Sequence, residues 1–89
     1  MEDQKSACLE AFDLVNGERQ VAYGDPVLCQ RKIGRMWGAM LGTEDIEAEM
    51  VALMMVAVKL VRETNTHKRD NLIDIAGYAE IVDRARARR

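Results

Sequence analysis

Hydrophobic residues recur at helical spacing along most of this chain. The most apolar stretch is Ile46–Arg62, in which residues 50–61 are methionine, valine, alanine or leucine apart from Lys59. Alanine and methionine favour a helix over a strand, and a helix that is apolar on all sides is typically buried. We therefore predict a central, buried helix over about 45–63, with Thr43 as its N-cap.

A first helix is predicted over about 2–16, where the apolar residues of LEAFDLV keep helical spacing. Asn16-Gly17 can end it, because glycine adopts the left-handed conformation at a helix C-terminus. The next ten residues, GERQVAYGDP, are bounded by glycine and proline. This punctuation predicts an ordered loop.

Two further helices follow from the same reasoning, one over about 26–41 and one over about 70–86. Asp25 can cap the former, because proline in the next position suits the first turn of a helix. Asp70 or Asn71 can cap the latter. The chain is thus predicted to form four helices.

Glycine recurs every four residues in the second predicted helix, at Gly34, Gly38 and Gly42. Each glycine inside a helix costs roughly 1 kcal/mol relative to alanine, so the repeat indicates that something approaches the backbone closely. Packing against the central helix is the favoured interpretation. A ligand or a second subunit along this glycine ridge is the alternative.

Composition agrees with an all-α domain that spans residues 1–89. The chain is 48% hydrophobic but only 4% aromatic, so its core must come from aliphatic residues and methionine. A chain of this size buries only about 60–65% of its unfolded surface. We therefore predict a compact bundle of about four helices around the buried helix 46–62, stabilised by assembly into a homo-oligomer.

The net charge and the length of the apolar run limit which partners the chain is expected to bind and where it is expected to be located. The net charge is −2, which argues against nucleic acid as a partner although four of the last six residues are arginine. The apolar run is shorter than the ~20 residues needed to cross a bilayer, so no membrane partner is expected. No secretory leader or Cys-x-x-Cys pair is present, which predicts a cytoplasmic protein.

Several polar residues stand out as candidate site residues. Lys59 lies amid apolar residues, where a charge is costly unless it is paired. Asp70 and Asp74 share a face of the last predicted helix with Tyr78. An ion pair between Lys59 and Asp74 would satisfy both groups, and the same lysine could also hold a phosphate.

Arg19 and Tyr23 lie in the glycine-bounded loop. They could clamp a phosphate and stack on a base, or they could simply pin the loop to the core. The acidic residues of 44–49 suit a solvated helix start. Their alternative use is a Mg²⁺ site shared with Asp70 and Asp74, because Mg²⁺ takes carboxylate and phosphate oxygens together.

Four segments carry more specific patterns. They are Asn-Gly-x-Arg-x-x-x-Tyr-Gly-x-Pro at 16–26, the helix containing Trp37, Val-Ala-Leu-Met-Met-Val at 51–56 followed by Lys59, and Asp-Asn-Leu-Ile-Asp-Ile-Ala-Gly-Tyr-Ala at 70–79. Together they resemble a family of small phage and prophage proteins catalogued as a domain of unknown function. The resemblance covers about 9–82 and implies a phage origin. The candidate ligand-binding residues at its motif positions are Arg19, Tyr23, Gly24, Trp37, Lys59, Asp70, Asp74 and Tyr78.

The chain is also similar, more distantly, to MazG-type all-α nucleotide pyrophosphohydrolases. Those enzymes hold Mg²⁺ with Glu-x-x-Glu on one helix and Glu-x-x-Asp on another. Here the spacing is Asp70-x-x-x-Asp74, and Lys59 stands where further carboxylates are needed. The pattern therefore predicts no catalytic residue, no metal ligand and no cofactor, and it favours a binding protein over an enzyme.

Three functions remain in competition. The first is a phage accessory protein that binds a nucleotide-like small molecule without turnover and sequesters a host anti-phage defence signal in the host cytoplasm. The second is a MazG-like, Mg²⁺-dependent pyrophosphohydrolase. The third is a protein–protein inhibitor of a host factor that docks through the methionine-rich helix or the glycine ridge.

Overall fold

A computed structural model describes residues 4–88 as a helical protein. Its helices are α1 (Ala7–Asn16), α2 (Glu18–Tyr23), α3 (Pro26–Leu41), α4 (Ala48–Asn65) and α5 (Arg69–Ala87). These residues contain no strand, which confirms the all-α class. Within the same range, no helix combines the length and the apolar character needed to span a membrane.

The bundle is organised around α4 and α5, which form the most extensive helix pair. α3 packs on α4, and α1 packs on α5. Val15, Ala52 and Ile81 form a buried cluster between α1, α4 and α5, and Tyr78 and Val82 pack against it. α4 therefore shares the centre of the bundle with α5, which contacts α1, α3 and α4.

The predicted burial of α4 on all sides is wrong. Burial is confined to residues of its first two turns, namely Ala48, Glu49, Val51 and Ala52. Large apolar side chains farther along remain exposed, among them Leu60 at 51% and Val61 at 69%. The remaining helices cover only one side of α4, so an apolar sequence on every side does not produce burial on every side.

The residues between Gly17 and Pro26 form a short helix rather than the predicted loop. The Val21 amide donates to the Gly17 carbonyl at 3.1 Å, and the Gly24 amide donates to the Gln20 carbonyl at 2.8 Å. Six helix-compatible residues between the two glycines are enough for this one and a half turns. Gly24 has a φ of 79°, a left-handed value that lets the chain turn into α3. Gly17 does not take the left-handed cap expected of it, because its φ is −114°.

The glycine ridge of α3 confirms the prediction of a close approach, but what approaches it is mainly the non-helical segment 44–46 of the same chain. A Cβ atom on Gly34 would lie 1.8 Å from the Ile46 carbonyl oxygen, and one on Gly38 would lie 2.5 Å from that of Glu44. The Ile46 amide also donates to the Gly34 carbonyl at 3.2 Å. Gly42 does not belong to the ridge: it ends α3 in the left-handed conformation, with φ at 71°.

This crossing over α3 explains why Thr43 does not cap α4. Residues 43–47 cross α3 as irregular chain, and α4 begins only at Ala48, with Glu47 in the cap position. The Thr43 hydroxyl instead donates to the Glu44 carbonyl at 3.1 Å. The start of α4 is thus set by the crossing over the glycine ridge.

The first and last helices also differ from their predicted bounds. Residues 4–6 are not helical, and Glu2 and Asp3, at the predicted start of the first helix, lie outside the described residues. α5 begins at Arg69, before either predicted cap. A carboxylate oxygen of Glu63 accepts from the Lys68 amide at 3.0 Å, which ties the turn before α5 to the end of α4. Lys68 occupies the N-cap position of α5, and its side chain makes no capping hydrogen bond.

α5 is helical to Ala87, and arginines at its end form ion pairs. Arg84 pairs with Glu80 at 2.7 Å, and Arg86 pairs with the buried Glu49 at 2.9 Å. Arg88 reaches Asp25 at 2.9 Å. The described arginines of this end therefore serve contacts within the chain, and Arg89 lies outside the described residues.

Asp25 caps α3 as predicted, and its loss is expected to destabilise the fold. Its carboxylate accepts from the Val27 amide at 2.9 Å and from the Leu28 amide at 3.4 Å. Removing such a cap costs about 1 kcal/mol, so Asp25→Ala should lower the free energy of unfolding in urea by this amount. Asp25→Asn keeps the cap and weakens only the exposed ion pair with Arg88. Equal losses in both variants would contradict the capping role.

Candidate functional site

The candidate site is centred on Asp74, whose carboxylate pairs with two cationic side chains. Arg19 on α2 donates to one carboxylate oxygen at 2.7 Å, and Lys59 on α4 lies 2.9 Å from the other. The Asp74 and Lys59 side chains are only 13% and 16% exposed. The predicted ion pair between α4 and α5 is therefore confirmed, and Arg19 joins it from a third helix.

Electrostatics keep this cluster charged at neutral pH. Burial acts to raise the pKa of Asp74, but the hydrogen bonds from Lys59 and Arg19 and the charges of these cations outweigh it, so the pKa lies below its ordinary value. The hydrogen bond to Asp74 raises the pKa of Arg19. Two cations and one carboxylate leave a net charge of +1, which suits an anionic group.

A cavity of about 290 Å³ opens beside this cluster, between α2, α3 and α5. Five of the eight predicted ligand-binding residues line it: Arg19, Tyr23, Gly24, Asp74 and Tyr78. Its volume is near the lower end of the range for small-molecule sites. The Tyr23 ring is 71% exposed at the cavity, so it offers an open face on which a planar group could stack.

Tyr78 provides a hydroxyl in the same cavity. Burial raises the pKa of this hydroxyl, and the negative charge of Asp74 adds to the effect. The hydroxyl therefore stays protonated at neutral pH and can donate a hydrogen bond. Arg19 and Tyr78 thus supply two donors of different strength to one space.

Gln30 is a site residue that the sequence analysis missed. It lines the cavity from α3 and is only 6% exposed. Its side-chain oxygen is buried without a hydrogen-bond partner. The sequence contained a signal for this residue. The buried stripe of α3 consists of Val27, Gln30, Gly34 and Gly38, and Gln30 is the polar residue among them.

A second cavity, of about 560 Å³, lies on the other side of Asp74. It contains two more predicted residues, Lys59 and Asp70, together with Arg62 and Lys68. Asp70 is exposed, and Asp74 lines both cavities. A ligand with a planar group and an anionic group could therefore contact the same ion cluster from either cavity.

Glu63 fixes the connection between α4 and α5, which lies next to the second cavity. Its carboxylate accepts hydrogen bonds from His67, from the Lys68 amide and from the Asn71 side chain. These bonds, that of His67 first, lower the pKa of Glu63 to about 2. His67 is thus an exposed partner of Glu63 rather than a freely solvated side chain.

Trp37 is separate from both cavities. It lies half-buried on α3 and lines neither of them. The Mg²⁺ site considered for Asp70, Asp74 and the acidic residues of 44–49 has no counterpart in residues 4–88, where no three histidine, cysteine or acidic side chains lie close enough to hold a metal ion. The carboxylate arrangement of MazG-type enzymes is likewise not assembled in this part of the chain.

Comparison with known proteins places these residues in a family. The family described as "Domain of unknown function (DUF6378)" matches residues 7–86. The chain is 35% identical over 75 residues to the Gene 55 protein of Mycobacterium phage L5, covering 83% of this chain and 48% of that protein. It is 36% identical over 76 residues to the Gene 55 protein of Mycobacterium phage D29, covering 84% and 50%. The chain therefore spans about half the length of these relatives. No solved structure matches it.

Proposed function

The chain belongs to the family of the domain of unknown function DUF6378, and we propose that it is an accessory protein that binds a nucleotide-like ligand without turning it over. The expected family of phage proteins is confirmed by the match to this family and by the two mycobacteriophage relatives. Because both relatives are mycobacteriophage proteins, we propose the cytoplasm of an infected bacterium as its setting. The chemistry of the proposal comes from the cavity.

The observation that carries the proposal is the unpartnered oxygen of Gln30. A buried acceptor without a hydrogen bond costs about 1–3 kcal/mol, and the side chain that carries this one lines the cavity, where a rotation of its amide would bring the oxygen to a bound ligand. A ligand with an N–H group would satisfy it. The edges of nucleobases carry such groups, and the adjacent Tyr23 ring offers a stacking surface.

The ion cluster supports an anionic part of the same ligand. The two cavities together expose four cations, Arg19, Lys59, Arg62 and Lys68, and two carboxylates, Asp70 and Asp74, which leaves a net charge of +2. A guanidinium group binds phosphate oxygens through a planar pair of donors, and a lysine adds a point charge. A ligand that places a base near Gln30 and a phosphate near Arg19 would be a nucleotide.

Binding without hydrolysis is favoured by the charges of the cluster. Hydrolysis of a nucleoside triphosphate in all-α pyrophosphohydrolases depends on several carboxylates that share Mg²⁺. In this chain the central carboxylate is already occupied by Arg19 and Lys59. We propose that such a protein acts by holding its ligand, and that the ligand is a signalling nucleotide of host anti-phage defence.

Thermal melting against a panel of linear and cyclic nucleotides, with and without Mg²⁺, tests this proposal. A ligand that binds only the native state raises the melting temperature. Chromatography of each recovered nucleotide then separates the outcomes. An intact nucleotide that stabilises the protein supports sequestration, and a cleaved one would favour the pyrophosphohydrolase. No stabilisation by any nucleotide would overturn the proposal and favour a protein partner.

Gln30→Leu provides a sharper prediction, because it should separate binding from stability. Leucine has a similar size and removes the unpartnered acceptor, so the ligand-free variant should be as stable as the wild type or more stable by about 1 kcal/mol. Affinity for the stabilising nucleotide should fall at least about tenfold, since one hydrogen bond is lost. Titration calorimetry and urea denaturation measure the two effects. Unchanged affinity would contradict a role of Gln30 in binding.

A further inference from the structure

α4 presents a second apolar side to the solvent. Around an α-helix successive residues are about 100° apart, so the exposed positions of this run fall on one stripe. We call this stripe the outer face of α4; it consists of Met50, Leu53, Met54, Ala57, Val58, Leu60 and Val61. It contains no charged residue. A helix side that faces water permanently normally carries polar residues.

The position of Lys59 sharpens this observation. It lies about 200° around the helix from Ala57, on the side that faces Asp74, and its side chain is only 16% exposed. The only charge of the run therefore points into the bundle, while the exposed side is entirely apolar. A helix at the surface of a protein normally has the opposite arrangement, with its apolar residues toward the core and its charged residues toward the solvent.

The dimensions of the chain indicate how much surface lacks a partner. Its accessible surface is 6340 Å², whereas a folded monomer of 10.1 kDa exposes about 5,300 Å². The difference, about 1,000 Å², is close to the roughly 800 Å² that each partner loses in a standard interface. The radius of gyration is 14.0 Å, compared with about 12 Å for a compact domain of this length.

The core of the described residues is correspondingly small. Its buried apolar side chains are alanine, valine and isoleucine only, and the largest that are fully buried are Val27 and Val51. Every leucine and methionine within residues 4–88 remains at least partly accessible. A chain this small commonly completes its core by oligomerisation.

We propose that the outer face of α4 binds the same face of a second copy of this chain, with the two α4 helices antiparallel. Met50, Leu53, Ala57 and Leu60 follow the 3-4-3 spacing of helices that interlock their side chains. Ala57, near the middle of the stripe, permits close approach at a two-fold axis.

Charge favours the antiparallel orientation. Residues 44–49, around the start of α4, carry four carboxylates, whereas residues 62–70, around its end, carry three basic side chains and two acidic ones, which leaves a small positive charge. Antiparallel packing brings the acidic end of each copy near the basic end of the other, whereas parallel packing would bring like charges together. The contact surface itself is separate from the proposed nucleotide site, because the outer face lies opposite the side of α4 that carries Lys59.

Sedimentation equilibrium of the wild type and of Ala57→Lys tests the proposal. The wild type should sediment as a dimer, and Ala57→Lys should dissociate at least about a hundredfold more readily, because it buries two like charges at the axis. Val21→Lys is the matched control: Val21 is an 89% exposed apolar residue on α2, so this variant should remain a dimer. Circular dichroism verifies that both variants are folded.

A monomeric wild type at 100 micromolar would overturn the proposal and leave the outer face to a different protein partner. A dimer that Ala57→Lys does not weaken would overturn it as well, because another surface would then form the contact. A dimer that Val21→Lys disrupts equally would contradict the assignment of the interface to α4.

Disulfide cross-linking tests the orientation in a background that replaces the two free cysteines, Cys8 and Cys29, with serine. Ala57→Cys should form disulfide-linked dimers on oxidation, because the two copies of residue 57 meet at the axis. Met50→Cys should not, since residue 50 lies about 10 Å from residue 57 along the helix, and antiparallel packing doubles this separation between the copies. Cross-linking through both positions would overturn the antiparallel arrangement.

Discussion

Replacing Gly34 with alanine is expected to lower the free energy of unfolding by about 3 kcal/mol. A Cβ atom at this position would lie 1.8 Å from the Ile46 carbonyl oxygen and 2.9 Å from its carbonyl carbon. These are backbone atoms, so the non-helical segment before α4 would have to move away. That movement would break the 3.2 Å hydrogen bond from the Ile46 amide to the Gly34 carbonyl. Urea denaturation followed by circular dichroism measures the loss.

Gly77→Ala is the matched control for this prediction, and it should have the opposite sign. Gly77 lies inside α5, where an added Cβ would meet Val15 at 3.5 Å and Ala11 at 4.0 Å, which are ordinary contact distances. Alanine favours a helix over glycine by up to about 1 kcal/mol, so this variant should be more stable than the wild type. Similar losses in the two variants would show that the crossing over α3 does not set the requirement for glycine.

The glycine ridge illustrates what the sequence could and could not predict about the fold. Regular spacing of Gly34 and Gly38 within a helical pattern indicates a close approach, because each glycine is otherwise costly in a helix. The approaching segment, residues 44–46, has no regular secondary structure, so it has no periodicity that would identify it. The need for glycine at these positions was therefore predictable, whereas the segment that packs against them was mostly not.

The ion cluster shows the same division in the candidate site. Lys59 in an apolar run needs a counter-charge, and Asp74 on the next helix is a natural partner, so this pair could be predicted. The hydrogen bond of Arg19 to Asp74 spans 55 positions and depends on α2, which the glycine-bounded sequence concealed. Local patterns contain no information about such a distant contact.

The outer face of α4 marks the limit of prediction from one chain. An apolar sequence on all sides correctly indicates that every side of the helix favours burial. It does not indicate that the other helices of the same chain cover only one side. The exposed fractions of Met50 and Leu53, 49% and 43%, therefore became known only from the packed structure.

Replacing Asp74 with alanine is expected to lower the free energy of unfolding by about 3 kcal/mol at pH 7. The variant leaves Lys59, which is only 16% exposed, without a counter-charge and also removes the partner of Arg19. Lys59→Met should cost only about 1 kcal/mol, because Arg19 still satisfies Asp74 and methionine suits the apolar surroundings. Asp13→Ala, which removes an exposed carboxylate paired with Lys5, should cost less than about 1 kcal/mol.

The cost of Asp74→Ala should also depend on pH, with a direction fixed by the lowered pKa of Asp74. A carboxylate whose pKa is lower in the folded state stabilises the protein fully above its unfolded pKa, about 3.9, and loses this contribution as the pH falls through the folded value. The difference in unfolding free energy between the wild type and Asp74→Ala should therefore shrink between pH 5 and pH 3. Glu63, with its pKa of about 2, is present in both proteins, so its titration cancels. Urea denaturation at both pH values measures the change. A difference that stays constant would mean that packing, rather than the charge of Asp74, joins the three helices.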